Sequence, residues 1–359
     1  MTLAPQPTPV QIGGRTIGAG HPVYLVAELS ANHGGRFDEA AALVAAAADA
    51  GADAIKVQTY TPDTMTLDAP QECFTIHGSI WDGRKLHELY AEAQMPWEWH
   101  APLQQIARQR GLDFFSTPFD ASALDFLETL DVPVHKVASF ELVDIPLLRR
   151  IGATGKPVIM STGMATPEEI DEAVSTFKQT GTPLVLLKCT SAYPAPPDSM
   201  NLRAIPHLAQ RYGVTVGLSD HTLDLAVPVA AVALGACVIE KHFTLSRQTP
   251  GPDSAFSLEP HEFRAMAEAV RTAEKSLGVA MPALARSEDA MRAFRRSLFV
   301  VEPVRAGEAF TAANVRSIRP AGGLHPRHLD DVIGRRATRD IERGTALDWS
   351  LVGPGEHSA

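Results

Sequence analysis

The chain has 359 residues, 45% of them hydrophobic and 21% charged, enough for one large core and a small second domain. Its 32 Lys and Arg stand against 42 Asp and Glu, a mildly acidic balance that argues against nucleic-acid or anionic-membrane binding, so any functional positive charge must be placed locally. Cys73, Cys189 and Cys237 lack metal-ligand spacing, the first ten residues lack signal-peptide character, and no run reaches the roughly 20 apolar residues of a membrane span, so a cytoplasmic location is expected.

Through Leu277, short β-branched runs alternate with amphipathic, Ala- and Leu-rich runs. The pattern predicts, in order, strand Val23–Glu28, helix Asp38–Ala50, strand Ala54–Thr59, helix Trp97–Arg110, strand Asp113–Thr117, helix Ala121–Leu130, strand Val134–Ala138 and helix Ile145–Ile151. It continues with strand Pro157–Ser161, helix Pro167–Lys178, strand Leu184–Lys188, helix Leu202–Tyr212, strand Thr215–Leu218, helix Leu225–Leu234, strand Cys237–His242 and helix Pro260–Leu277. Gly51, Gly111, Gly155, Gly181, Gly213 and Gly235 each separate a helical run from the next strand, where a left-handed helix cap favours glycine. Repeated β-then-α units of this kind predict a (β/α)8 TIM barrel rather than an open doubly wound sheet.

Between the second strand and its helix lie about 35 residues, Tyr60 to Pro96, containing Trp81, Asp82 and Arg84. On the C-terminal rim of a barrel such an insertion reads as a lid or substrate loop, or else as surface decoration. After Leu277 the pattern changes. The expected division is a catalytic barrel over 1–280, a linker over 281–293 and a small β-rich domain over 294–353, with strands near Ser297–Val301 and Asn314–Arg319. A domain of roughly 60 residues has little core of its own and is expected to lean on a partner surface.

Barrel enzymes carry their chemistry at the C-terminal ends of the strands. Those ends read Glu28; Lys56 and Gln58; Ser116 and Thr117; Lys136, Ser139 and Glu141; Ser161 and Thr162; Lys188, Ser191 and Tyr193; Ser219, Asp220 and His221; Glu240 and His242. So many ionisable groups at one rim are costly unless they pair or function. Closure sets the eighth strand between the seventh and the first, bringing His221, His242 and Glu28 onto neighbouring strands. Two converging imidazoles suit a divalent transition metal with open positions, although either histidine alone is more often a hydrogen-bonded core residue. Strand period turns Lys56 and Gln58 to one side, and sets Glu240 and His242 opposite Lys241. Lys56 and Lys136 then point into the barrel mouth as an anion site, with Ser139, Ser161 and Ser219 as hydroxyl donors. The alternative is that these lysines only neutralise Glu28 and Glu141. No glycine-rich nucleotide loop is present.

The run AELSANHGG at Ala27–Gly35, with Gly51–Thr59, Ser116–Phe119, Ser161–Met164, Gly217–Thr222, Glu240–Thr244 and Pro250–Asp253, resembles the sialic acid synthase family. Thr59–Thr66, Trp81–Gly83, Pro96–His100 and Phe294–Phe299 are similar to its pseudaminic acid synthase branch. The resemblance implies a barrel followed by an antifreeze-like (SAF) domain in a domain-swapped homodimer. It implies condensation of phosphoenolpyruvate with 2,4-diacetamido-2,4,6-trideoxy-L-altrose, helped by a divalent metal, Mn2+ ahead of Mg2+ or Co2+. By position, Glu28 matches the catalytic glutamate, and Arg319 the arginine that reaches across to the sugar's acylamino group. His221 and His242 match the metal ligands; Lys56, Lys136, Ser139, Ser161 and Ser219 match the phosphoenolpyruvate contacts. Gln58, Glu141, Tyr193 and Asp253 match residues around sugar and metal, and Ser191 replaces an asparagine that contacts phosphoenolpyruvate. N-acetylneuraminic and legionaminic acid synthases are the neighbouring alternatives. A Schiff-base lysine aldolase and a non-catalytic glycan-binding protein are alternatives of other classes.

Overall fold

In the computed structural model, which describes residues 7–278 and 286–354, eight parallel strands close into a barrel. A hairpin of β1 (Val10–Ile12) and β2 (Arg15–Ile17) precedes it. The first half runs β3 (Tyr24–Glu28), α1 (Phe37–Asp49), β4 (Ala54–Thr59), α2 (Pro62–Met65), α3 (Leu86–Ala93), α4 (His100–Gln109), β5 (Asp113–Pro118), α5 (Ala121–Thr129), β6 (His135–Val137) and α6 (Ile145–Ala153). The second half runs β7 (Val158–Ser161), α7 (Pro167–Thr180), β8 (Leu184–Cys189), α8 (Ala204–Tyr212), β9 (Thr215–Asp220), α9 (Ala226–Ala233), β10 (Val238–His242) and α10 (Pro260–Leu277). Strand β10 pairs with both β9 and β3, which closes the ring. Local signals agree with this register. Thr166 and Glu169 form a capping box that starts α7, and Gly181, at φ 69°, ends it in the left-handed region.

Alternate residues of each strand face inward, and the interior is layered. Its lower layer is apolar: Tyr24, Val26, Ala54, Phe115, Ile159, Val185, Leu187 and Val238 form one buried cluster. Val10, Ile12 and Ile17 of the hairpin join that cluster and close its N-terminal end. Arg15 of the hairpin also pairs with Asp53 at 3.1 Å and Asp113 at 3.4 Å. The hairpin has no counterpart among the sequence-based expectations, because three-residue strands are too short to show alternation. Outward-facing Leu25, Ile55, Phe114, Met160 and Leu186 pack instead against the helices in a second, larger cluster.

The chain divides at Gly278/Val279 into two compact units. Of the expected linker 281–293, residues 281–285 lie outside the described residues, and the rest winds into 3-10 turns at Arg286–Glu288 and Ala290–Phe294. The second unit pairs β11 (Ser297–Val300) with β12 (Val315–Ile318) in an antiparallel ladder and carries α11 (Leu329–Val332). Leu298, Val300, Phe310, Val315, Val332, Leu347 and Leu351 fill its own core. No helix among the described residues is long and apolar enough to cross a membrane.

Truncating the lower barrel layer tests this packing. Phe115→Ala removes a fully buried ring and should cost about 3–5 kcal/mol in the barrel's unfolding free energy. Urea denaturation followed by circular dichroism measures it, and an unchanged midpoint would mean that the ring does not pack as described.

Candidate active site

Above the apolar layer the barrel interior turns polar. Strand register sets His242 opposite Glu28, and Glu28 opposite Lys56, so that three functional groups stand in one row across β10, β3 and β4. Glu28 is fully buried, and one of its oxygens ion-pairs with the Lys56 ammonium. Its other oxygen accepts the Ser30 backbone N–H at 2.9 Å. Ser30 can donate there because it adopts a left-handed conformation, φ 43°, which is uncommon for a non-glycine residue. Burial pushes the Glu28 carboxyl above its ordinary value, more than the neighbouring Lys56 pulls it down.

A second carboxylate completes the charge pattern. Glu240 Oε1 lies 3.5 Å from Lys56 Nζ and 3.9 Å from Lys136 Nζ, and accepts the Ser219 hydroxyl at 3.2 Å. Burial would raise Glu240, but Lys136 and Lys56 outweigh it and hold the carboxylate ionised. For Lys56, burial is outweighed by Glu240 and Glu28, which keep it charged, whereas burial prevails at Lys136 and lowers it. Lys136 Nζ donates to Ser161 Oγ at 2.7 Å and to the Val137 carbonyl at 3.0 Å. Beside them Ser139 Oγ accepts the Gly163 N–H at 3.0 Å. A side chain at Gly163 would collide with Ser191 Oγ and Ser139 Oγ, at 2.2 and 2.7 Å from an added Cβ. The hydroxyls of Ser139, Ser161, Ser191 and Ser219 thus stand on four consecutive strand ends around one ammonium corner.

His221 and His242 face each other with ring centroids 5.4 Å apart. His221 shares its Nδ1 with the Thr190 carbonyl at 2.9 Å, while His242 Nδ1 is buried without a partner. Burial, with His221 and the lysines adding to it, pushes His242 well below its ordinary value and keeps the ring neutral. Tyr193 lies over both imidazoles, 4.4 Å from His221 and 6.5 Å from His242. On the outer face, Lys241 pairs with Asp220 at 2.8 Å, and Asp220 accepts the Thr222 N–H at 2.9 Å, which fixes the turn that carries His221. Gln58 donates to Ser30 Oγ at 2.9 Å, and Ser30 Oγ in turn bonds Asp253, tying the sequence-predicted Gln58 and Asp253 into one network.

The strand-end reading names most of this constellation, but not Glu240 as its hub, nor Ser30, Cys189 or Phe256. Cys189 is the inward residue of β8 beside Ser191, 3.8 Å from its hydroxyl. Burial pushes its thiol up, but His221, Ser139 and Lys136 outweigh that and bring it down to about 7. Strand period would have found Glu240 and Cys189; nothing local in the sequence marks Ser30 or Phe256. Ser116 and Lys241 face outward, Ser116 bonding Thr59 and the Val57 carbonyl. Arg319 belongs to the second unit, where it is exposed directly after β12. A cavity of about 700 Å³ at the N-terminal end of the barrel, bordered by Pro22, Val216, Val232 and Cys237, contains none of these groups.

Residues 43–281 match the NeuB family and residues 295–353 match the SAF domain. The pseudaminic acid synthase of Campylobacter jejuni (strain 81-176) is 47% identical over 329 residues, covering 91% of this chain and 96% of the relative. The pseudaminic acid synthase of Helicobacter pylori is 42% identical, covering 91% and 96% respectively. A crystal structure of N-acetylneuraminic acid synthetase from Leptospira borgpetersenii, in complex with citrate, superposes with a TM-score of 0.72 at 32% identity, covering 80% of this chain and 95% of that one.

Glu141 gives the site a measurable pH signature. Burial lifts its carboxyl from the ordinary 4.5 to about 7, and its Oε2 is buried without a hydrogen-bond partner. The folded state therefore holds this proton more tightly than the unfolded chain, so its contribution to stability is lost as pH rises from 4.5 through 7. Glu141→Gln should match the wild type near pH 4 and become the more stable of the two by pH 8 in urea titrations. Parallel stability curves for the two proteins would remove the raised acid.

Proposed function

The chain belongs to the NeuB family, and from that membership we propose that it acts as a pseudaminic acid synthase, joining phosphoenolpyruvate to 2,4-diacetamido-2,4,6-trideoxy-L-altrose with release of phosphate. The observation that carries this reading is the buried Lys56 and Lys136 pair, set among serine hydroxyls beside Glu28 and two imidazoles. The likeness to pseudaminic acid synthases supports the choice of sugar.

In this reading the two ammonium groups and the hydroxyls of Ser139, Ser161, Ser191 and Ser219 hold the carboxylate and phosphate of phosphoenolpyruvate. Gln58, Glu141, Tyr193 and Asp253 surround the open-chain sugar. C3 of phosphoenolpyruvate attacks the aldehyde carbon, water adds at C2, and cleavage of the C2–O bond releases phosphate and leaves the 2-keto acid. Glu28, with a raised carboxyl, exchanges a proton with the attacking water or the aldehyde oxygen.

His221 and His242 fit a divalent metal. The buried Nδ1 of neutral His242 has no hydrogen-bond partner, and the Thr190 carbonyl orients His221, whose pKa, against the pull of burial, the neighbouring Cys189 helps to raise, so the Nε2 proton there would be displaced on metal binding. Two imidazoles leave positions to be completed by water and substrate, with Mn2+ favoured over Mg2+ or Co2+ by the nitrogen ligands. Such an ion supplies Lewis acidity to the aldehyde oxygen. The active form is a cytoplasmic homodimer, in which the partner subunit's Arg319 reaches the sugar's acylamino group.

A mass-spectrometric assay with phosphoenolpyruvate, Mn2+ and the precursor sugars of pseudaminic, legionaminic and N-acetylneuraminic acids tests the proposal. The altrose derivative should be the preferred substrate, EDTA should abolish turnover, and the bridging oxygen-18 of phosphoenolpyruvate should leave in phosphate. Preference for another sugar overturns the substrate assignment; EDTA-resistant turnover with borohydride trapping on Lys56 or Lys136 would favour the aldolase alternative. Glu28→Gln should lower kcat by about 10²-fold or more, and a change of only a few-fold removes it from proton transfer.

A further inference from the structure

The insertion between β4 and α4 sends Trp81 into the neighbourhood of the site, alongside Tyr60 and Tyr90, which lie close enough to Asp253 and Glu141 to feel their charge. In its 78–83 turn, Trp81 is half-buried while Gly78, Ser79, Ile80, Asp82 and Gly83 are all exposed. The turn is braced for that purpose. Gly78 N–H donates to Asp82 Oδ1 at 2.7 Å, Trp81 N–H to Ser79 Oγ at 3.2 Å, and Gly83 N–H to the Ile76 carbonyl at 2.8 Å. The indole N–H then donates to the Pro252 carbonyl at 2.9 Å, one residue before Asp253. Its ring lies 5.8 Å from Tyr193 and 6.3 Å from Phe256, and Phe256 is itself 4.9 Å from His242.

We propose that Trp81, with Tyr193 and Phe256, forms an aromatic wall that selects the sugar by its apolar groups, making Trp81 a specificity-determining residue. The inference rests on the synthase reading above. A 6-deoxy sugar with two acetamido groups offers a terminal methyl and two acetyl methyls, which lose little on leaving water for an indole face. A fully hydroxylated hexosamine offers hydroxyls at the corresponding positions, and pressing these against the wall strips their water without returning a hydrogen bond. The pinned N–H matters because it spends the indole's one polar group on Pro252 and leaves only carbon facing the sugar. The insertion thereby contributes one braced contact to Tyr193 and Phe256, the two rings that pack on the histidine pair.

Steady-state kinetics of Trp81→Ala and Trp81→Phe, with the diacetamido-trideoxy sugar and with N-acetylmannosamine, test the wall. Trp81→Ala should raise KM for the deoxy sugar and shrink the kcat/KM preference for it by about tenfold or more, with KM for phosphoenolpyruvate within about twofold of wild type. Trp81→Phe, which keeps a ring but loses the N–H, should recover most of the preference. An unchanged preference, an equal loss for both sugars, or a matching rise in KM for phosphoenolpyruvate would overturn the proposal. If the wild type itself does not use the deoxy sugar, the assignment of that sugar fails on that result alone, before any Trp81 variant is measured.

Discussion

Two ammonium groups held out of water inside a closed barrel need counter-charge, and the upper layer of this barrel is organised around supplying it. Lys56 sits between Glu28 and Glu240, and Lys136 shares Glu240 while donating to Ser161. Two positive and two negative groups cancel, which lets all four be buried in a medium where an isolated charge is prohibitive. Such a cluster is a poor source of stability compared with hydrocarbon of the same volume. Its position at the strand ends therefore points to function. An anion entering here would meet cations already oriented, Lys56 by its ion pair with Glu28 and Lys136 by Ser161 and the Val137 carbonyl.

The rest of the architecture serves this cluster. The apolar layer beneath it, sealed by the Val10–Ile17 hairpin, fixes the strand register that sets His242, Glu28 and Lys56 in a row. The outward pair Lys241–Asp220 holds the turn behind His221. On the other side of the mouth, Ser30 links Glu28, Gln58 and Asp253 in one hydrogen-bond network. The same low dielectric that makes the lysine–carboxylate contacts strong also lifts Glu141 and leaves a carboxyl oxygen ready to be used by a ligand.

The barrel was legible because each unit repeats the same grammar: a period-two apolar run, a period-3.6 run, and a glycine between helix and strand. Gly181 and Gly213 end their helices in the left-handed conformation that this grammar requires. Site residues on strands were legible for the same reason, since Lys56 and Gln58, or Glu240 and His242, sort by alternation. What alternation cannot express is which strand ends meet. Glu240 belongs to the predicted rim, yet only barrel closure sets it between two lysines from β4 and β6. Ser30 escaped because its role depends on a positive φ; Trp81 was singled out within the insertion, but the turn that carries it has no period from which its partners could be read.

In the proposed synthase the lysine pair is an anion site and not merely internal neutralisation. Calorimetric titration of phosphoenolpyruvate into the double variant Lys136→Met/Glu240→Gln tests it directly, because removing one charge of each sign keeps the buried sum at zero. With the fold intact by circular dichroism, affinity for phosphoenolpyruvate should fall by about 10²-fold, in line with the loss of a buried charge-assisted contact. Wild-type affinity in that variant would reduce the lysines to internal neutralisation.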